Sequence, residues 1–173
     1  DRIKNNNRLP LFTSCCPAWV KYCEIFYPEL LPNLSTAKSP ITMQSTLIKT
    51  YFANKENINP EDIVNVVIAP CTAKKAEINR KELNYTEKDT DYLLTTRELA
   101  LLLKEENIDI KTLEESKFDS PLGTGSGAGV IFGATGGVCE AALRTAYNII
   151  TGKDLSKEEL EFKTIRGMEG IKE

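Results

Sequence analysis

The chain has 173 residues, of which 41% are hydrophobic and 27% are charged, and its formal net charge is -3. This length predicts a single domain, and the mixed charges give no basic face for a nucleic-acid backbone. The apolar runs are much shorter than the ~20 residues that cross a bilayer, and no signal segment opens the chain, so we expect no membrane insertion and a cytoplasmic protein.

The first half of the chain alternates segments typical of strands and helices. Residues 9–13 predict a short strand, and the proline after the following cysteine pair predicts the start of a helix at Pro17. Pro40 opens a second predicted helix in the same way. The β-branched run over residues 63–68 predicts a buried parallel strand that ends just before a third cysteine.

The second half continues this alternation. The predicted elements are a helix over 73–82, a strand over 91–94, a capped helix from Thr95 to Glu106, a glycine-rich loop over 114–129, a helix over 134–150 and a last strand over 161–165. Alternating strands and helices predict an α/β fold with three layers, in which a largely parallel sheet is flanked by helices. In such folds, ligand sites lie at the carboxyl ends of the strands.

Cysteine is the residue type with the strongest chemical signal. The chain has no histidine, which excludes Ser-His-Asp and Cys-His catalysis and histidine metal sites within these residues. Five cysteines are an odd number, and no export signal precedes them, so a disulfide framework is not expected. Reduced thiols that act as ligands or as core residues are the prediction.

The motif TSCCPAW contains the adjacent residues Cys15 and Cys16 at a predicted strand-to-helix turn. Adjacent side chains cannot reach the same side without strain, so this geometry favours one thiolate on a metal and the other thiol facing a neighbouring pocket. Amides at a helix N-terminus also stabilise thiolates and anionic cluster sulfur. The alternative is that both cysteines are small buried residues, and the spacing alone does not decide between the two.

The motif PCTAKK places Cys71 at the end of a buried strand and Lys74 three residues later. The two lie on about the same helical face, where a cation can hold an anionic ligand against a thiolate-bound metal. The alternative for this motif is an ordinary helix start with solvated lysines.

The segment SGAGVIFGATGG, residues 126–137, is rich in glycine and precedes a predicted helix. Its spacing fits neither the dinucleotide fingerprint nor the P-loop. We interpret its glycines as allowing the backbone to approach a bulky group closely. Cys139, within the following helix, and Cys23 are expected to be core thiols.

Taken together, TSCCPAWV, APCTAKKAE, TTREL and SGAGVIFGATGGVCEAALR resemble, in the same order, the catalytic domain of iron-only hydrogenases. The resemblance implies that residues 1–173 are one lobe of this domain, truncated at both ends. It implies an H-cluster, in which a cysteine sulfur joins a [4Fe-4S] cubane to a two-iron subcluster carrying CO, cyanide and an amine dithiolate. It also implies reversible reduction of protons to H2, with ferredoxin or another redox subunit as the electron partner.

The resemblance also assigns roles by motif position. It implies that Cys16 and Cys71 ligate the cubane, that Cys15 exchanges protons with the bridging amine, and that Lys74 hydrogen-bonds a cyanide. The other implied residues are Phe132 in the pocket wall, Ser14 beside the cofactor and Ser35 as a hydroxyl of the proton relay.

The sequence departs from the family pattern in two ways. Ala69 and Cys139 stand where methionine is common in the family. The family's Cys-x-x-x-Cys motif, which supplies two further cubane ligands, and its upstream relay glutamates are absent from these residues, so we expect the isolated chain not to assemble a complete cluster.

Two related functions without hydrogenase activity stay open. One is a hydrogenase-like iron-sulfur protein of cluster assembly, in which the first cysteine of the pair is typically replaced, so that Cys15 favours the enzyme. The other is a sensory module, with which Ala69 is compatible. A soluble α/β domain with buried cysteines is the most generic alternative.

Overall fold

The computed structural model describes residues 2, 5, 7–123, 125–134, 136–156 and 159. They fall into two compact units, Asp1–Pro121 and Leu122–Glu173. The assignment of residues 1–173 to a single domain stays a prediction. The strand predicted over 161–165 lies outside the described residues. Among the helices that the structure describes, none is long and apolar enough to cross a membrane.

The first helix, α1, covers Pro17–Phe26 as predicted. Cys16 caps its N-terminus and Pro17 occupies the first position, where a missing N–H costs nothing. The helix ends where Pro28 begins a 3-10 turn over Pro28–Asn33. Cys23 faces the interior and is completely buried, which confirms it as a core thiol.

The strand predicted over residues 9–13 is reduced to one residue of parallel pairing, between Phe12 and Leu34. The Phe12 N–H donates to the Asn33 carbonyl at 3.0 Å, and the Ser35 N–H donates to the Phe12 carbonyl at 2.8 Å. Pro10 has no N–H, so the hydrogen-bond ladder cannot extend toward the N-terminus.

The second predicted helix is present and is capped by Ser39. It runs as α2 over Pro40–Leu47, continues as a π-helical turn over Ile48–Phe52, and ends as α3 over Ala53–Glu56. Asn57 closes it in the left-handed conformation, with φ 55°. Asparagine tolerates this conformation better than most residues.

The sheet of the described residues consists of β1, Val66–Ala69, and β2, Tyr92–Thr95. The strands are parallel, with Val66 opposite Tyr92 and Ala69 opposite Thr95. Ala69, Ile78 and Leu93 form the buried core beside this sheet. The parallel pairing with intervening helices confirms the predicted α/β class.

Two helices follow these strands. The helix α4, Ala73–Glu77, is shorter than predicted, because Arg80 adopts an extended conformation before a 3-10 turn over Lys81–Leu83. The helix α5, Thr96–Glu105, begins with a capping box in which Thr95 and Glu98 satisfy each other's backbone N–H groups. This capped helix confirms the prediction.

The second unit contains α6, Gly127–Ile131, and α7, Gly137–Thr151. The sequence placed the first of these within a loop, so α6 was missed. A Cβ atom on Gly137 would lie 1.8 Å from the Ile131 carbonyl oxygen, so only glycine fits where α7 begins. This contact is between α7 and the end of α6, so the approach of the glycine-rich segment to a bulky group stays a prediction.

Cys139 is exposed, so its prediction as a core thiol was wrong. Gly137 and Ala141 are the buried residues of α7. Cys139 lies two residues from each of them, and at 3.6 residues per turn this spacing turns its side chain toward the opposite face.

Candidate functional site

The adjacent cysteines lie where the chain enters α1. Cys16 is the N-cap, and its Sγ accepts a hydrogen bond from the Trp19 N–H at 3.5 Å. Cys16 is exposed, whereas Cys15 is half-buried. The positive end of the helix dipole therefore lies against an accessible sulfur, which suits a thiolate ligand of a metal.

Cys71 lies just beyond β1, at the carboxyl edge of the parallel sheet. Its thiol is free and half-buried, and its carbonyl accepts the Lys74 N–H at 3.2 Å as α4 begins. The strand and the helix therefore fix the backbone on both sides of this cysteine, at the sheet edge where α/β folds bind ligands.

Lys74 connects the two cysteine motifs. Its Nζ donates to the carbonyl oxygen of Cys15 at 2.8 Å, across 59 positions of the sequence. The same Nζ lies 2.5 Å from a carboxylate oxygen of Glu77, and only 12% of the lysine side chain is exposed. The turn before α1 and the start of α4 are thus held together by a largely buried ammonium group.

Ser14 and Ser35 meet at a cavity of about 150 Å³ beside the cysteine pair. The Ser14 hydroxyl donates to the Ala37 carbonyl at 2.8 Å, and the Ser35 hydroxyl accepts the Ala37 N–H at 3.2 Å. Glu77 lines the same cavity. The sequence therefore selected two residues that the fold brings together. It missed Glu77, although Glu77 ends the motif APCTAKKAE and follows Lys74 by three residues.

Cys23 and Phe132 differ from the cysteines of the two motifs in their surroundings. Burial raises the pKa of the Cys23 thiol, and the charge of Glu29 acts in the same direction, so this core cysteine stays protonated. Phe132 belongs to the second unit, where it follows α6 and is 39% exposed. Its role in a pocket wall stays a prediction.

The free cysteines of the two motifs could supply two of the four ligands of a [4Fe-4S] cubane. Cys16 and Cys71 offer the soft sulfur donors that iron-sulfur clusters require. The described residues contain no group of three or more histidine, cysteine, aspartate or glutamate side chains that could hold a metal ion. The described residues therefore offer two free cysteine side chains on fixed backbone, and the largely buried Lys74 joins their motifs.

Residues 1–173 match the family model for the iron only hydrogenase large subunit, C-terminal domain. The periplasmic [Fe] hydrogenase large subunit of Nitratidesulfovibrio vulgaris is 50% identical over 171 residues, which are 98% of this chain and 40% of that protein. Iron hydrogenase 1 of Clostridium pasteurianum is 47% identical over 173 residues, which are 99% of this chain and 30% of that protein.

A solved hydrogenase structure is also similar to this chain. An apo [FeFe]-hydrogenase HydA1 variant from Chlamydomonas reinhardtii superposes with a TM-score of 0.81 at 44% identity, covering 99% of this chain and 43% of that one.

A different relative, cytosolic iron-sulfur assembly component 3 of Pongo abelii, is 34% identical over 166 residues, which are 91% of this chain and 34% of that protein.

The chain thus spans less than half the length of these relatives. Its parallel α/β fold agrees with the solved hydrogenase, and the family model covers both cysteine motifs and the glycine-rich segment. This chain belongs to the iron-only hydrogenase large-subunit family and represents part of its C-terminal domain.

Proposed function

We propose that this chain is one lobe of a hydrogenase catalytic domain whose whole protein catalyses the reversible reduction of protons to H2. The observation that carries the proposal is the bond from the Lys74 ammonium to the Cys15 carbonyl, which joins the two cysteine motifs in one site. A thiol pair and a separate cysteine at the carboxyl edge of the sheet, tied by a buried cation, provide sulfur ligands and a positive charge that suit an anionic iron-sulfur cofactor.

The cofactor of this proposal is the H-cluster, which supplies the redox chemistry and the site of H2 formation when it is bound. Cys16 and Cys71 hold its cubane through their thiolates, and the other two ligands come from the remainder of the whole protein. Because Cys16 also caps α1, its sulfur keeps a backbone N–H as a neighbour, which stabilises negative charge.

Cys15 carries the proton in this proposal. Cys15 is half-buried and its backbone carbonyl is bound by Lys74, so its side chain has a fixed attachment point beside the proposed cofactor site. Ser35 lies at the cavity beside the pair and serves as a relay hydroxyl. In this proposal, Cys15 and Ser35 form the part of the proton path that this chain supplies.

The other proposed contacts concern the cofactor's surroundings. Lys74 donates a hydrogen bond to a cyanide, Ser14 lines the site, and Phe132 of the second unit helps to exclude water. Electrons reach the site from ferredoxin or another redox subunit, and protons and H2 are the substrates.

A second candidate function is cluster assembly without hydrogenase activity. The 34% identity to cytosolic iron-sulfur assembly component 3 favours it. Cys15 discriminates between the two, because a proton-carrying thiol has a purpose only in the enzyme. Hydrogenase activity is therefore our first proposal.

The ligand assignment is tested by iron and sulfide content of the whole protein, reconstituted without oxygen. We expect Cys16→Ala and Cys71→Ala each to lower cubane content strongly, because each removes a thiolate. Cys139→Ser is the matched control, since it alters an exposed cysteine that has no ligand role in this proposal and should load normally. Full cubane content in both alanine variants would contradict the assignment.

A further inference from the structure

Glu77 is a buried carboxylate that neither the cysteine motifs nor the proposed function has used. It lies at the end of α4, and only 4% of the residue is exposed. Its Oε2 lies 2.5 Å from the Nζ of Lys74, which is itself largely buried. A buried carboxylate is costly unless it is paired, so its position calls for a specific partner.

The neighbouring cations leave Lys74 as that partner. Arg80 lines the same cavity, but its guanidinium already binds Glu24 at 2.6 Å and Glu82 at 2.7 Å. Lys38 also lines the cavity, and its Nζ donates to the Thr46 hydroxyl at 2.9 Å. Among the described residues, the hydrogen bond recorded for the Glu77 carboxylate comes from Lys74.

The geometry of the ammonium group shows what this pairing does. A lysine ammonium has three N–H donors. One is directed to the Cys15 carbonyl and a second to Glu77, and within the part of the chain that the structure describes the third stays available for a ligand. Two anchors on different elements restrict the rotation of the group, and a single anchor would leave it free to turn.

We propose that Glu77 is a positioning residue, which fixes the Lys74 ammonium so that it holds the Cys15 turn and presents its third N–H to an anionic ligand of the cofactor. The inference rests on the proposed function, because it deepens the role of Lys74 there. Glu77 does not touch the cofactor. It acts through Lys74, and through Lys74 on the backbone of the proton-carrying cysteine.

The first test uses the whole protein before the cofactor is loaded, and it measures thermal unfolding in a double-mutant cycle of Glu77→Gln and Lys74→Met. If the two side chains act as one unit, Glu77→Gln lowers Tm much less in the Lys74→Met background than alone. Glu82→Gln is the matched control, because it removes the same charge from an exposed side chain five positions along the chain. Its effect should be the same in both backgrounds.

The second test measures the infrared stretching bands of the cyanide ligands in the loaded protein, together with H2 turnover. We expect Glu77→Gln to shift the cyanide band in the same direction as Lys74→Met and to lower turnover about tenfold or more, since small misplacements of positioning groups are costly. Glu77→Asp should restore part of the band position, and Glu82→Gln should leave it unchanged. This pattern separates positioning from a loss of fold.

The outcomes distinguish the inference from the proposed function. A cyanide band that moves in Lys74→Met but not in Glu77→Gln overturns the inference and leaves the hydrogenase proposal standing. A whole protein that acquires no cluster refutes the hydrogenase proposal. The unfolding cycle then still tests the Glu77–Lys74 pair: additive Tm shifts overturn the inference, and coupled shifts support it. Should Glu77→Gln fail to fold, Glu77→Asp provides the same comparison.

Discussion

Asp89 is the most connected buried carboxylate of the first unit, and its removal tests the account of that unit's stability. Its side chain is 2% exposed. Its oxygens accept hydrogen bonds from the Thr46 hydroxyl at 2.6 Å, the Thr86 hydroxyl at 2.7 Å, the Tyr85 N–H at 2.8 Å and the Thr86 N–H at 2.9 Å. It therefore ties the loop before β2 to α2.

The magnitude follows from these bonds. A hydrogen bond to a charged group contributes about 1.5–3 kcal/mol, and the four donors are not independent, since two belong to Thr86. We expect Asp89→Ala to lower the free energy of unfolding by about 4 kcal/mol, which is a large part of a typical domain's total. Asp89→Asn keeps one acceptor oxygen and should lose about half as much.

The assay is urea unfolding followed by the fluorescence of Trp19, the single tryptophan of the chain, which lies in the same unit. With a slope of about 2 kcal/mol per molar urea, the midpoint of Asp89→Ala should fall by about 2 M. Glu87→Gln, which removes an exposed negative charge two positions away, should leave the midpoint unchanged. A midpoint of Asp89→Ala within 0.5 M of the original, about 1 kcal/mol at this slope, would refute the reasoning.

The same carboxylate predicts a pH dependence. Burial raises the pKa of Asp89, but the hydrogen bonds from Thr46, Thr86 and Tyr85 outweigh this effect and hold the pKa below its ordinary value of 3.8. The stabilisation is therefore complete above pH 3.8 and is lost as pH falls through the lower pKa of the folded state. Unfolding of Asp89→Asn should lack this acid-sensitive component.

Three further changes have defined outcomes. Lys49→Met should lower the free energy of unfolding by about 3–5 kcal/mol, measured by urea titration, because Lys49 is buried and its ammonium binds Asp91 at 3.1 Å; an unchanged midpoint would contradict this. Thr95→Ala should cost about 1 kcal/mol through the lost cap of α5, and no loss of stability would count against the capping box. The hydrogen bonds from Lys75 and Thr95 lower the pKa of Glu98 to about 2. The stabilising effect of the ionised Glu98 should therefore be present above pH 4.5 and decline toward pH 2, as measured by unfolding followed by circular dichroism. Glu98→Gln should lack this acid-sensitive stabilisation.

Helices whose signals are local could be predicted from the sequence. Pro17 and Pro40 mark the first turns of α1 and α2, and the Thr95–Glu98 pair forms the predicted cap of α5. Each signal depends on residues within one turn, which the folded structure cannot easily override. Strand β2 was likewise found within one residue of its predicted place.

Features that depend on distant partners could not be predicted as well. In the described part of the chain, the strand expected over residues 9–13 pairs only at Phe12, with Leu34. Pro10 has no backbone N–H to donate, so the pairing cannot continue through it. The burial of Glu77 depends on how α4 packs against the turn before α1, which no local pattern records. Cys139 looked like a core residue by type alone, although its position on α7 turns it outward.

The two cysteine motifs illustrate both cases. The resemblance of both motifs to iron-only hydrogenases implied an iron-sulfur site, and the Lys74 side chain joins the two motifs in the structure. The sequence could suggest that Lys74 faces the site, but it could not show that the same group also binds Glu77. A buried pair of opposite charges cannot be predicted from the sequence alone, because its burial depends on the tertiary fold.

The hydrogenase function can be assayed directly as H2 evolution from reduced viologen by the whole protein, matured without oxygen with the two-iron unit. We expect turnover in the original protein and a strong loss in Cys15→Ser, with cubane content unchanged in both. A correctly loaded original protein that evolves no H2 would contradict the hydrogenase function, and full turnover in Cys15→Ser would contradict the role of that thiol as the proton donor.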